Sequence, residues 1–324
     1  MKIRQSTYLL IALLPLCMAG CSSDETVAAA GTTDSVEERV PVEFSSQLPA
    51  VTRATTIENV WTSGDVIAVS NGSTLHRYIA AATSTAGAIV NLSFAGEYSD
   101  QFFWPTSNPS WTFTAWYPYN NGTQWTAIEV AENQNTIDAD VYKNYDLLYA
   151  TCGPVDFKKR VHFVFYHQLA HVIVNATVSP ASGYSNERVT AIEFGRNNVA
   201  LTGSLTMGTT GGSVATPSVA WTVAEANKTH SVTMRYKEPS SSVYTYECML
   251  PPQAIGDADT PLLTIKTIDN EQATRTYLYK SPYTLQAGYE YTFDMSVNEL
   301  GVLKVNSLTI TGWGTGAGGT GTVK

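Results

Sequence analysis

His167-Gln168-Leu169-Ala170-His171 places two imidazoles four residues apart, the spacing by which zinc proteases hold their metal. That motif works on a helix, and its second position is a glutamate acting as general base. Here Gln168 stands at that position, and the flanking residues are β-branched and aromatic, so the pair reads as part of a structural strand. Asp138-Ala139-Asp140 and Asp257-Ala258-Asp259 begin like calcium loops, but Tyr142 and Pro261 occupy the next ligand positions. No nucleophile elbow or phosphate-cradling loop is present, and the glycines between Thr311 and Val323 follow no nucleotide motif and read as a flexible tail. Cys152 and Cys248, the cysteines beyond the leader, are either bridged or two buried thiols, because sequence does not give the distance a bridge needs. The expectation is no catalytic residue, no metal and no cofactor.

The elements that would hold any site read as all-β. No window of a dozen residues keeps a 3.6-residue apolar period, whereas period-2 segments recur between Gly, Asn, Pro and Ser clusters. Tyr291, Phe293, Met295 and Val297 fall on one face of a strand, with Glu290, Thr292, Asp294 and Ser296 on the other. Phe163 and Phe165 share one parity while Val172, Val174 and Val178 share the other, which predicts a bulge between His167 and Ala170. Trp104, Trp111, Trp116, Tyr117, Tyr119 and Trp125 crowd one region, either as sandwich core or as a platform for sugar rings. At 324 residues the chain has room for two domains, with a boundary placed near residue 158. Its formal net charge of −9 is the wrong sign for neutralising phosphates, which excludes nucleic acid as a partner.

The N-terminus is an address. Lys2 and Arg4 precede an apolar stretch, Tyr8 to Ala19, of secretory-signal length. It ends in Met18-Ala19-Gly20-Cys21, which resembles the lipobox of bacterial lipoproteins, with Met18 where Leu is usual. That resemblance implies cleavage before Cys21 and lipidation of its thiol; an ordinary signal peptide is the alternative. Residues 1–20 are thus expected to be the signal peptide and 21–53 a tether and removable segment. The acidic Ser22-Ser23-Asp24-Glu25 either serves as spacer or resembles a signal for export to the outer face of the outer membrane.

The ordered set Trp61-Thr62-Ser63-Gly64-Asp65, Ala115-Trp116-Tyr117-Pro118-Tyr119, Asp146-Leu147-Leu148-Tyr149-Ala150, Phe165-Tyr166-His167-Gln168-Leu169-Ala170, Leu250-Pro251-Pro252-Gln253 and Leu285-Gln286-Ala287-Gly288-Tyr289-Glu290-Tyr291-Thr292-Phe293 resembles the signatures of the Mfa-like fimbrillin family of type V pilins. The resemblance implies two transthyretin-like β-sandwich domains in tandem, assigned to 54–158 and 159–324, and no enzymatic activity. It also implies a surface lipoprotein precursor that an arginine-specific protease trims ahead of the first domain. Arg53-Ala54 is similar to that processing site. The groove so exposed would take a neighbouring subunit's C-terminal strand.

The residues allow that mechanism on separate grounds. Val40, Val42 and Phe44 alternate with Pro41, Glu43 and Ser45, so a cut at Arg53 would remove a strand from a sheet. Leu303, Val305, Leu308 and Ile310 mark a candidate donor strand. The expected function is a structural subunit of a type V-like fimbria, held to the outer membrane by lipid before trimming, with other pilin subunits as partners in a homo- or hetero-polymer. The rival is a tip adhesin or anchored surface lipoprotein that binds a glycan or host protein.

Overall fold

In the computed structural model the described residues are 39–49, 59–105, 110–138, 142–178, 187–207, 219–237, 242–256, 259–297, 302–313 and 318–321. They build the expected all-β fold from packed, twisted sheets. The first sheet runs, in spatial order, Val161–Val164, Phe44–Gln47, Ile89–Phe94, Leu75–Ala80, Val66–Ser70, Ser110–Tyr117, Leu148–Asp156 and Tyr166–His167. Its two outermost strands are successive pieces of one stretch, 161–167, so the sheet wraps around its core until its ends meet. Closure of this kind leaves few edges to solvent. Val42, Phe44, Trp61, Ile67, Tyr78, Phe102, Trp104, Phe113, Phe163 and Phe165 fill the interior.

A second core lies between a six-stranded sheet and a four-stranded one. The six-stranded sheet is ordered Arg235–Tyr236, Val243–Leu250, Ala170–Val178, Tyr289–Val297, Leu303–Gly312 and Gly318–Gly321. The four-stranded sheet is ordered His230–Thr233, Arg188–Val199, Pro261–Ile268 and Thr274–Lys280. Tyr291, Phe293, Met295 and Val297 alternate into this core as their spacing predicts. Glu290, on the predicted polar face, is buried as well, because it meets His171 there. Gly318–Gly321, within the glycine-rich stretch read as a tail, pairs with Leu308–Thr311.

The parity change in 161–178 has a different cause from the expected bulge. The chain leaves the first sheet at His167 and enters the six-stranded sheet at Ala170, so Phe163 and Phe165 point into one core and Val172 and Val174 into the other. The cores also exchange strands: Ala127–Glu129 pairs with Thr202–Met207, and Ile128 is buried with the second core. Among the crowded aromatics Trp104, Trp116 and Tyr117 are buried, while Trp111, Tyr119 and Trp125 are half-buried. They line cores rather than a platform.

Candidate functional site

The segment upstream of Arg53 is an interior element of the first sheet. Phe44–Gln47 runs antiparallel to Ile89–Phe94 on one side and parallel to Val161–Val164 on the other. Further backbone bonds extend the seam in both directions: Val42 N–H donates to Phe102 O and Trp104 N–H to Val40 O, while Phe165 N–H donates to Gln47 O. Val40 is half-buried, whereas Val42, Phe44 and Leu48 are buried, so alternate residues enter the core. The Phe44 ring lies 4.8 Å from Tyr78, 5.1 Å from Phe113, 5.8 Å from Phe163 and 6.0 Å from Phe102, centroid to centroid. The Phe163 ring is stacked on Phe44 and the other three meet it edge-on, arrangements that stabilise beyond the area they bury.

On the opposite face the segment is held by polar contacts. Ser45 Oγ lies 3.0 Å from His162 Nδ1, and Gln47 Oε1 lies 3.4 Å from His162 Nε2. Burial lowers the pKa of His162, which favours the neutral ring between these two side chains. Glu43 accepts from Arg160 Nη2 at 2.7 Å in a solvent-exposed pair that contributes little to stability.

Arg53 and Ala54 lie outside the described residues, as does Cys21. The residues flanking 50–58 are tied together, since Asn59 Nδ2 donates to Pro49 O at 3.4 Å. Asn59 Oδ1 in turn lies 2.7 Å from His167 Nε2, and Asp146 Oδ1 lies 2.8 Å from His167 Nδ1. The first histidine of the protease-like motif is therefore part of a buried joint. The second, His171, sits between Glu290 at 3.2 Å and Glu247 at 3.3 Å, and Glu247 is paired with Arg235 at 2.7 Å. Among the described residues no group of three or more His, Cys, Asp or Glu side chains is placed to hold a metal ion. Cys152 and Cys248 are free thiols in different sheets.

Burial pulls the His171 pKa down, but the hydrogen bonds and charges of Glu247 and Glu290 outweigh it and raise the pKa from 6.5 to about 9. A folded-state pKa above the unfolded one stabilises the protein fully below about pH 6.5, and this contribution is lost as pH rises through about 9. Urea midpoints should therefore fall between pH 7 and pH 9.5 in the natural protein. A His171→Gln variant, less stable at pH 7, should lack that part of the slope; an unchanged slope would remove His171 as its source.

The candidate donor strand is paired within its own chain. Leu303–Gly312 runs antiparallel to Tyr289–Val297, with Leu308 buried and Leu303, Val305 and Ile310 half-buried. The next residue, Trp313, is fully buried, with its ring 3.7 Å from that of His167 at an interplanar angle of 5° and 4.9 Å from that of His171. Trp313 stands among glycines, so no periodic pattern marks it in the sequence. Leu48 is hidden in the same way, because Ser46 interrupts the 42, 44, 46, 48 alternation.

The signature residues are mostly joints. Gln253 brackets Ala200, accepting from its N–H at 2.8 Å and donating to its carbonyl at 2.9 Å. Gly288 has φ +71°, and a Cβ there would stand 2.9 Å from His167 O, so only glycine fits between the two strands. Trp61 packs edge-on against Tyr117 and Phe165. These contacts fix how the strands meet and involve no reacting group.

Among the solved structures similar to this chain, two illustrate the shared fold. A candidate cell adhesion protein from Bacteroides uniformis is 17% identical, with 86% of this chain and 99% of that chain covered and a TM-score of 0.55. A candidate cell adhesion protein from Bacteroides ovatus is 15% identical, with 83% and 97% covered and a TM-score of 0.59. No curated protein matches the chain. The sequence pattern of the fimbrillin-like family matches residues 52–313, which is most of the chain, and the protein therefore belongs to the fimbrillin-like family.

Proposed function

We propose that the chain is a structural subunit of a fimbria, exported as a lipoprotein on Cys21, trimmed after Arg53 and joined to its neighbours by strand exchange. One observation carries the reading: the strand immediately upstream of Arg53 lies inside a sheet, with Ile89–Phe94 and Val161–Val164 on its two sides. Release of that strand would open two rows of unpaired backbone groups above an apolar trough, the surface to which an extended segment adds. A neighbour's strand would restore the sheet, and Leu303, Val305, Leu308 and Ile310 would be this chain's contribution to a further subunit. To give up Leu303–Gly312 the chain would also have to uncover Trp313.

The proposed tandem of two transthyretin-like domains, divided near residue 158, leaves Val161–Val164 completing the first sheet and Ala127–Glu129 pairing with the second half. The adhesin reading draws support from the descriptions of the two solved relatives, and it is compatible with the same fold.

Arg53→Ala should leave a folded precursor that stays untrimmed and unpolymerised. The check is the N-terminal residue and mass of protein recovered from the cell surface. Ala54 as first residue in the natural protein, absent in the variant, supports the reading; filaments formed by the untrimmed variant would overturn it.

A further inference from the structure

Arg39 and Arg53 bracket the segment 40–49, and a cut after each would have a different result. Cleavage after Arg53 severs that segment from the rest of the chain. Cleavage after Arg39 would detach everything upstream, Cys21 included, yet leave residues 40–49 joined to the body and the trough filled. The Arg39 side chain is exposed, so its own burial does not decide between the two.

Phe102-Phe103-Trp104 lies across residues 40–42 as a strap. Phe102 and Trp104 alternate into the first core, where each is 4% exposed, and this turns Phe103 to the other face. The strap is bonded to the segment through its backbone: Val42 N–H donates to Phe102 O at 2.9 Å and Trp104 N–H to Val40 O at 2.8 Å, with Pro41 bridged antiparallel to Phe103. On the outer face the Arg39 guanidinium lies 4.0 Å from the centroid of the Phe103 ring, which also meets Tyr98 edge-on at 5.4 Å. Proteolysis acts on segments that open from the fold, at a rate set by how often they open. The Arg39–Val40 bond can enter a protease cleft only when residues 40–42 leave the strap, which breaks both hydrogen bonds and uncovers the buried Val42.

We infer that the strap withholds Arg39 from the processing protease, so that detachment from the lipid and opening of the trough occur in a single cut, after Arg53. Resting on the lipoprotein and trimming reading, this makes Phe103 the guard against an unproductive cut. A chain that began at Val40 would leave the surface with its own strand in place and no room for a neighbour's. The strap makes detachment conditional on activation.

The test digests the full precursor and a synthetic peptide of residues 34–45 with the same arginine-specific protease, and follows the products by mass spectrometry. The peptide contains Arg39 as its one arginine and shows whether the bond is cleavable once freed from the strap. It should be cut at least about a hundredfold faster than the same bond in the precursor, whose products should begin at Ala54 and not at Val40. Phe103→Ala in the full precursor should speed cutting after Arg39 about fivefold. Arg188 and Arg235, in paired strands around the other core, should stay uncut, which separates a loosened strap from general unfolding. Phe103→Leu, which keeps an apolar side chain but no ring face for the guanidinium, should speed the cut about threefold and serves if the alanine variant unfolds. A resistant peptide, equal rates at Arg39 and Arg53 in the natural precursor, or an unchanged rate in both variants would overturn the inference and leave trimming intact. An uncut Arg53 in the natural precursor would instead sink the trimming reading, and the inference with it.

Discussion

Phe44→Ala should destabilise the untrimmed precursor by about 3–5 kcal/mol, the usual cost of removing a buried aromatic side chain. The ring is 2% exposed and meets four others, so little collapse can fill the space it leaves. Urea unfolding of the purified precursor gives the measurement, with a lower midpoint at unchanged slope. The consequence for function is sharper than the loss itself. Under the strand-exchange proposal, trimming and entry of a neighbour's strand would leave residue 44 outside the subunit. Assembled preparations derived from the natural and Phe44→Ala precursors should then unfold alike. A deficit that persists after assembly would mean that residues 40–49 still occupy the sheet.

Trp313→Ala should cost about as much, roughly 3–5 kcal/mol, and for a different reason. The indole covers the rings of both His167 and His171, and its removal would admit water to a site where His171, Glu247 and Glu290 are paired in the absence of solvent. The damage should concentrate at the C-terminal strand, because Trp313 follows it directly and its ring anchors the backbone bond by which the Trp313 main-chain N–H donates to Gly288 O at 2.6 Å. Amides of Leu303–Gly312 should therefore exchange with deuterium well before those of Phe44–Gln47 in the variant. Trp313→Phe should recover most of the loss by preserving a stacked ring. A loss below about 1 kcal/mol in Trp313→Ala would show that the strand is held by its ladder alone.

These two residues show what a linear reading can and cannot reach. Phe44 was legible because Val40, Val42 and Phe44 alternate, and period 2 determines which side chains point inward. Trp313 was not, because a single aromatic among glycines carries no period. His167 and His171 were legible as a pair but not as joints. Their partners Asn59, Asp146, Glu247 and Glu290 are between 21 and 119 residues away in the chain. Ser46 illustrates a third case, in which a small polar residue interrupts an apolar alternation and its meaning depends on whether a partner stands opposite. Only the packed structure shows that none does among the described residues.

The all-β character and the strand-forming segment ahead of Arg53 follow from local pattern: composition, hydrophobic period and the order of short motifs. Tertiary structure alone decided that Phe44–Gln47 is interior, since its neighbour Val161–Val164 is about 117 residues away and pairs with it in parallel. It also decided that 161–178 passes from one sheet to another, and that Leu303–Gly312 is pinned by Trp313. The physical reason is the same in each case. A strand's sequence determines its inward face, but the partner on either edge is chosen by the rest of the chain, across separations that no local period records.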